Sequence, residues 1–201
     1  RFDEALTELH KAEGVDPLAP LWPAFTGAAA TWMRRPADAQ PAIARSLALD
    51  PDFPIGLYIA AEALANAGRN DSALATAARA HGRNPGWQFI VGWALARAGR
   101  RQEALALARN LEAAPSAMDK WGIAQIYAGL GDADQAMRWL EAAYEARWNW
   151  MPWMDYNPGF VPIRGDPRFR VLMRKVGAPP CAVCGLPVAP TRAASGASTA
   201  Q

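Results

Sequence analysis

Residues 65–85 read ANAGRNDSALATAARAHGRNP and contain the three signals that decide the fold. Gly68 follows a run of helix-forming residues, and glycine ends helices because it enters the left-handed conformation without a Cβ penalty. Ala73 comes five positions later, where a small side chain lets two helices approach closely. Pro85 pushes the residue before it out of the helical region. The stretch therefore predicts a helix end, a tight turn and a second helix that ends before Asn84-Pro85.

The same signals recur along the chain at a nearly constant interval. Three dipeptides place their prolines 34 residues apart: Asp16-Pro17, Asp50-Pro51 and Asn84-Pro85. Alanines run in phase with them at intervals of 34, 34, 31 and 32 residues: Ala5, Ala39, Ala73, Ala104 and Ala136. Alanine, the strongest helix former, is also the most frequent residue of the chain. A regular interval of this length is typical of stacked helical hairpins, so we predict an all-α chain.

This spacing resembles that of the tetratricopeptide repeat (TPR) family, and the resemblance covers residues 1–147. Gly27 and Gly92 match the small residue of the first TPR helix, and Tyr127 matches its aromatic residue. The chain departs from the family pattern at the tryptophan position of the first helix and in a third unit that is shorter by about three residues. The resemblance implies a superhelical solenoid of antiparallel hairpins whose first repeat is truncated.

Helical periodicity between these markers predicts the individual helices. A lone helix is expected at residues 2–13. Helix pairs are expected at residues 19–33 with 37–49, 53–67 with 71–81, 87–98 with 101–112, and 116–130 with 133–147. Stacking of such pairs buries a core that one hairpin cannot bury alone.

The aromatic-rich residues 148–177 are predicted to fold back as a cap over the last hairpin. Their prolines rule out one continuous helix, and their large rings suit the covering of an apolar solenoid end. Asp166 followed by Pro167 predicts the start of a short capping helix, which Gly177 ends. Residues 178–201 are rich in Pro, Ala, Ser and Thr, and we expect a disordered tail there.

The run from Gly165 to Arg174 resembles the ending of TPR regions in bacterial signalling and transcription-regulatory proteins. In those proteins the repeats follow a winged-helix, kinase or cyclase domain. The resemblance leaves an alternative function open, in which the chain is a regulatory or sensory segment that acts in cis on such an upstream domain. Abundant alanine and arginine favour a bacterial source, and we expect a cytoplasmic protein.

Protein–protein interaction is the function that the TPR resemblance implies. The first helix of each hairpin would line a concave face that binds a protein or peptide partner. By that resemblance the partner-binding residues are Trp32, Tyr58, Glu62, Asn66, Phe89, Trp93, Arg97, Trp121 and Gln125. We expect Trp93 and Trp121 to be the most exposed of them. The alternative is that some of these rings face the core between hairpins, where an aromatic residue at helical spacing usually belongs.

No sequence feature indicates an enzyme, a cofactor or a small-molecule substrate. The chain has a net charge of +2, with its arginines scattered, whereas nucleic-acid binders cluster their basic residues on one face. The most apolar stretch, residues 54–67, is too short to span a membrane. Cys181 and Cys184 supply two of the four ligands that structural zinc needs. We therefore expect a thiol pair in the tail and no metal site.

Overall fold

The computed structural model describes residues 2–178, and within this range all secondary structure is helical, with no strand. The α-helices are α1 (Phe2–Val15), α2 (Leu21–Trp32), α3 (Pro36–Leu49), α4 (Pro54–Asn66), α5 (Asn70–Arg83), α6 (Gln88–Arg97), α7 (Arg101–Glu112), α8 (Ala117–Gly129), α9 (Ala133–Glu145) and α10 (Pro167–Val176). The all-α prediction is confirmed, and each predicted helix is present with ends that differ by a few residues. The predicted disordered tail lies outside the described residues, apart from Ala178.

A residue in the left-handed conformation ends the first helix of each pair, as the glycine signals predict. The φ angle is +74° at Gly68, +75° at Gly99 and +78° at Gly131. In the first pair the same place is taken by Arg34, with φ at +57°. A residue with a Cβ pays about 1–2 kcal/mol for this conformation, so the first turn carries a cost that the other three avoid.

The helices pack in neighbouring pairs: α2 with α3, α4 with α5, α6 with α7 and α8 with α9. Small residues allow the two helices of a pair to approach closely. A Cβ added to Gly27 of α2 would lie 2.7 Å from Cγ1 of Ile43 on α3. The in-phase alanines of the second helices are exposed by 2% at most: Ala39, Ala73, Ala104 and Ala136. The predicted pairing of neighbouring helices is therefore confirmed.

The first helices of the pairs, α2, α4, α6 and α8, also contact one another in that order. We call them the first-helix layer. Helix α8 is buried without interruption over residues 121–128, and a helix that is buried all round needs cover beyond its own hairpin partner. The second helices bury a single stripe each, as α7 does with Ala104 and Ala108. The core therefore lies in and around the first-helix layer.

Residues 148–164, which we call the C-terminal segment, lie across the first-helix layer. They form two short 3₁₀-helices, Met151–Trp153 and Pro158–Ile163, so the prolines prevent a continuous helix as predicted. Rings of the segment pair with rings of the layer: Trp150 with Tyr58 (5.9 Å between centroids), Trp153 with Trp32 (5.8 Å) and Phe160 with Trp121 (4.7 Å). The segment therefore reaches α2 and α4, far beyond the last hairpin that it was predicted to cover.

Helix α10 closes the described part of the chain and begins and ends where the sequence predicts. The Asp166 carboxylate accepts a hydrogen bond from the backbone N–H of Arg168 (2.8 Å), and Gly177 is left-handed with φ at +73°. The helix buries Phe169 and Leu172 and packs on α9 and on the C-terminal segment. It is the predicted capping helix.

Candidate binding site

The predicted partner-binding residues all lie on the first-helix layer. Most of them are buried: Tyr58, Glu62, Phe89, Trp93, Trp121 and Gln125. Trp93 is 2% exposed and Trp121 is fully buried, so the expectation that these two rings are exposed is wrong. Trp121 is covered because Phe160 of the C-terminal segment packs edge-on against it.

Glu62 is a carboxylic acid with no exposed surface in the middle of this layer. It accepts three hydrogen bonds: from the Tyr58 hydroxyl at 2.6 Å, the Trp32 indole N–H at 2.9 Å and the Asn157 amide at 3.1 Å. Burial raises the pKa of Glu62 from its ordinary 4.5 to about 7, although the three hydrogen bonds act in the opposite direction. Groups from α2, α4 and the C-terminal segment thus meet at one acid.

Asn157 joins the C-terminal segment to the first-helix layer. Its amide nitrogen also donates to the Tyr58 hydroxyl at 3.3 Å, and its carbonyl oxygen accepts from the Gln125 amide at 2.8 Å. A buried polar network favours one arrangement of the elements that it links, so Asn157 fixes the segment against α4 and α8. Sequence reasoning missed this residue, because an asparagine before a proline is typical of a turn.

A cavity of about 550 Å³ opens between α2, α3, α4, α6 and the C-terminal segment. This volume is in the range of pockets that bind small ligands and can hold a few side chains of a peptide. The accessible members of the predicted set all line it: Trp32, Asn66 and Arg97. The structure therefore separates the predicted residues into a buried group inside the core and an accessible group around one cavity.

Several arginines lie in the lining of this cavity. Arg34, Arg97 and Arg164 line it, and no carboxylate does so among the described residues. Arg97 donates to the backbone carbonyl of Ala65 at 3.2 Å, and Arg164 forms an ion pair with Asp155 at 3.5 Å. The pKa of Arg164 is lowered by its burial and also by the nearby Arg34, whereas Asp155 acts in the opposite direction. Arg34 and Arg164 were not among the predicted site residues, because only the fold brings them to the same cavity as Arg97.

No group of three or more His, Cys, Asp or Glu side chains that could hold a metal ion occurs in residues 2–178. Cys181 and Cys184 lie outside the described residues. None of the described helices is both long and apolar enough to cross a membrane. No protein-family model matches the chain, and a comparison with curated proteins finds no match.

Proposed function

We propose that this chain is a protein-interaction module, a TPR-like solenoid that binds an extended segment of a partner protein and catalyses no reaction. The binding site would be the part of the first-helix layer that the C-terminal segment leaves open. The convergence of Trp32, Asn66 and Arg97 on one cavity is the observation that carries this proposal.

The repeat spacing and the helix packing together support a solenoid. Neighbouring helix pairs follow one another, and the first helices contact in chain order. Such nearest-neighbour packing is what stacked hairpins require. The C-terminal segment and α10 would then serve as the cover that the end of a stack needs.

The surface chemistry around the cavity suits a peptide. Val161 lines it and is 41% exposed, and Trp153, which packs on Trp32, is 48% exposed. Apolar side chains of this size beside exposed polar ones are typical of the surfaces that anchor a partner. Asn66 offers amide donors and an acceptor to a peptide backbone, while Trp32 offers an apolar wall.

Site-specific photo-crosslinking would test the proposal. A photoreactive amino acid is placed at Asn66, at the cavity, or at Gln102, an exposed residue of α7 on a second helix. A partner that crosslinks from Asn66 is identified by mass spectrometry, purified and titrated against the parent chain, Asn66→Trp and Gln102→Trp. We expect Asn66→Trp to weaken binding at least about tenfold, because a large ring fills the cavity mouth, and Gln102→Trp to leave it unchanged.

Equal crosslinking from both positions, or equal binding by both tryptophan variants, would contradict a site on the first-helix layer. A crosslink from Asn66 to another domain of the same reading frame would favour the alternative function, regulation in cis. The two functions are thus distinguished by whether the crosslinked peptide comes from another protein or from the same reading frame.

A further inference from the structure

We propose that Glu62 is a positioning residue of the cavity, and that its proton controls how firmly two of the cavity walls are held. The protonated acid keeps Trp32 and the C-terminal segment in place, whereas loss of the proton favours an arrangement in which water reaches the carboxylate. This inference rests on the proposed function, because it concerns the regulation of the same cavity by pH.

Two walls of the cavity are bonded to Glu62. Trp32 lines the cavity and donates its indole N–H to the Glu62 carboxylate at 2.9 Å. Tyr156 and Pro158 also line the cavity, and they flank Asn157 in the chain. The Asn157 amide donates to Glu62 at 3.1 Å. Movement of either donor away from Glu62 therefore changes a wall of the cavity.

Asn157 couples this hydrogen bond to the backbone of the C-terminal segment. Its side-chain oxygen accepts a hydrogen bond from the backbone N–H of Gly159 at 2.8 Å, and its backbone carbonyl accepts one from Arg164 at 3.2 Å. The Asn157 side chain has no exposed surface. A single buried amide thus holds both Glu62 and the turn that carries Tyr156 and Pro158.

A negative charge on Glu62 is poorly stabilised in this arrangement. Its three hydrogen-bond donors, on Trp32, Tyr58 and Asn157, are neutral groups. Tyr58 is the one of them that titrates, and burial raises its pKa well above the ordinary 10, so it stays neutral. Glu62 has no exposed surface and forms no ion pair with the residues that the structure describes. Burial of an anion without a countercharge is costly, so ionisation favours hydration.

The charged side chains on the neighbouring elements are bonded to other groups. Helix α2 carries none, α6 carries only Arg97, and the C-terminal segment carries Asp155 and Arg164. Their bonds, with those of α3 and α5, are Arg97 to the Ala65 carbonyl, Arg164 to Asp155, Asp38 to Arg35, Arg45 to Glu13, and Arg79 and Arg83 to Asp52. None of these side chains, nor Arg34 at the cavity, is among the groups that act on the pKa of Glu62.

The cavity lies next to Glu62 and can supply the water. Trp32, which donates to Glu62, and Ala63, which follows it in α4, both line the cavity. A small outward movement of Trp32 or of the turn at Asn157 would therefore open the carboxylate to the cavity. Such a movement loosens the walls without unfolding the helices.

The loosened arrangement should gain population as pH rises. The pKa of Glu62 is about 7 in the closed arrangement and approaches the ordinary 4.5 where water reaches the carboxylate. The closed arrangement therefore holds a proton that the loosened one releases between about pH 4.5 and pH 7, and above that range both are ionised. From pH 5.5 to pH 7.5 the population of the loosened arrangement should rise by up to about twentyfold.

Amide hydrogen exchange followed by NMR tests this in the whole chain. The Gly159 amide is the reporter, because it donates to the Asn157 side chain. We expect its protection factor, corrected for the intrinsic exchange rate at each pH, to fall by up to about twentyfold from pH 5.5 to pH 7.5. Glu62→Gln should abolish this fall, because its side chain carries no charge at either pH. Glu145→Gln, at an exposed position of α9, should keep it.

Low concentrations of urea distinguish loosening of the walls from unfolding of the whole chain. Exchange through a local opening is insensitive to urea, whereas exchange through global unfolding accelerates with it. Gly159 should exchange faster than Leu140, a fully buried residue of α9, and at a rate that urea leaves unchanged. Equal protection of the two amides, with equal acceleration by urea, would overturn the inference.

Two other results would also overturn it: a Gly159 protection factor that does not change with pH in the parent, or the same change in Glu62→Gln. If that variant does not fold, the indole N–H signal of Trp32 in the parent decides. Gly159 protection should stop falling at the midpoint of the Trp32 titration, and a fall that continues beyond it would reject Glu62 as the cause. These measurements use no partner, so their failure leaves the proposed function, tested by crosslinking from Asn66, intact.

Discussion

Replacing Glu62 by glutamine should remove most of the pH dependence of stability that we expect for this protein between pH 5 and pH 8. Glu62 is fully buried, and its pKa is raised from 4.5 to about 7. The Glu62→Gln variant keeps the size and one carbonyl acceptor but carries no charge. The difference between the parent and this variant therefore isolates the ionisation of one group.

The sign follows from proton linkage. Below about pH 4.5, Glu62 is protonated in both the folded and the unfolded chain, and its ionisation costs nothing. Between about 4.5 and 7 the folded chain holds a proton that the unfolded chain releases. The free energy of unfolding must then fall as pH rises through this window. Above about pH 7 both states are ionised, and the contribution of Glu62 is constant.

The magnitude follows from the two pKa values. A tenfold change in proton affinity corresponds to about 1.4 kcal/mol, so raising the pKa from 4.5 to about 7 penalises the buried anion by about 3 kcal/mol. Most of this, about 2–3 kcal/mol, should be lost between pH 5 and pH 8. Glu62→Gln also loses one hydrogen bond, from either Trp32 or Tyr58. This loss lowers the variant's free energy of unfolding at every pH, so the slope of that free energy against pH is unaffected.

Urea unfolding followed by tryptophan fluorescence at pH 5, 6, 7 and 8 measures this difference. Glu145→Gln, at an exposed position of α9, is the control, and its curve should run parallel to that of the parent. Parallel curves for Glu62→Gln and the parent would refute the reasoning. They would mean that the three donors around Glu62 offset its burial and keep it ionised in the folded protein throughout this range.

Two further predictions concern glycines. Gly68→Val should lower the free energy of unfolding by more than about 1 kcal/mol, because a β-branched residue must adopt φ near +74°. Gly82→Val, within α5, is the control. An equal loss of stability in both variants would contradict the argument that the loss arises from the left-handed backbone at Gly68. Gly122→Ala should cost about 1–3 kcal/mol in chemical denaturation, because its Cβ would overlap the Phe89 ring. A Cβ added at Gly165 points into open space, so Gly165→Ala should leave stability unchanged. Equal denaturation midpoints for these two alanine variants would contradict close packing of α6 on α8.

The helices could be predicted because their signals are local. A left-handed glycine such as Gly68 ends a helix through its own backbone, and the cap at Asp166 bonds a residue two positions away. The buried alanines, such as Ala73, recur with the repeat and need no knowledge of distant contacts. Each of these features depends on fewer than about ten consecutive residues, so the sequence is enough.

The exposure of the first-helix layer could not be predicted in the same way. Tyr58 and Trp121 carry the same pattern whether they face solvent or a covering segment. Their burial depends on contacts with Trp150 and Phe160, which lie far away in the chain. The hydrogen bond from Asn157 to Glu62 joins residues 95 positions apart, and no periodicity in the sequence encodes it.

By itself, the sequence determined that this protein is all-α, where its helices begin and end to within a few residues, and that neighbouring helices pair. These properties follow from backbone conformation and hydrophobic periodicity over short stretches. Only the tertiary structure decided that the C-terminal segment lies across the first-helix layer and that Arg34, Arg97 and Arg164 line one cavity. The physical reason is that burial and electrostatic potential depend on every group that lies nearby in space, and chain folding brings those groups together from positions that share no sequence pattern.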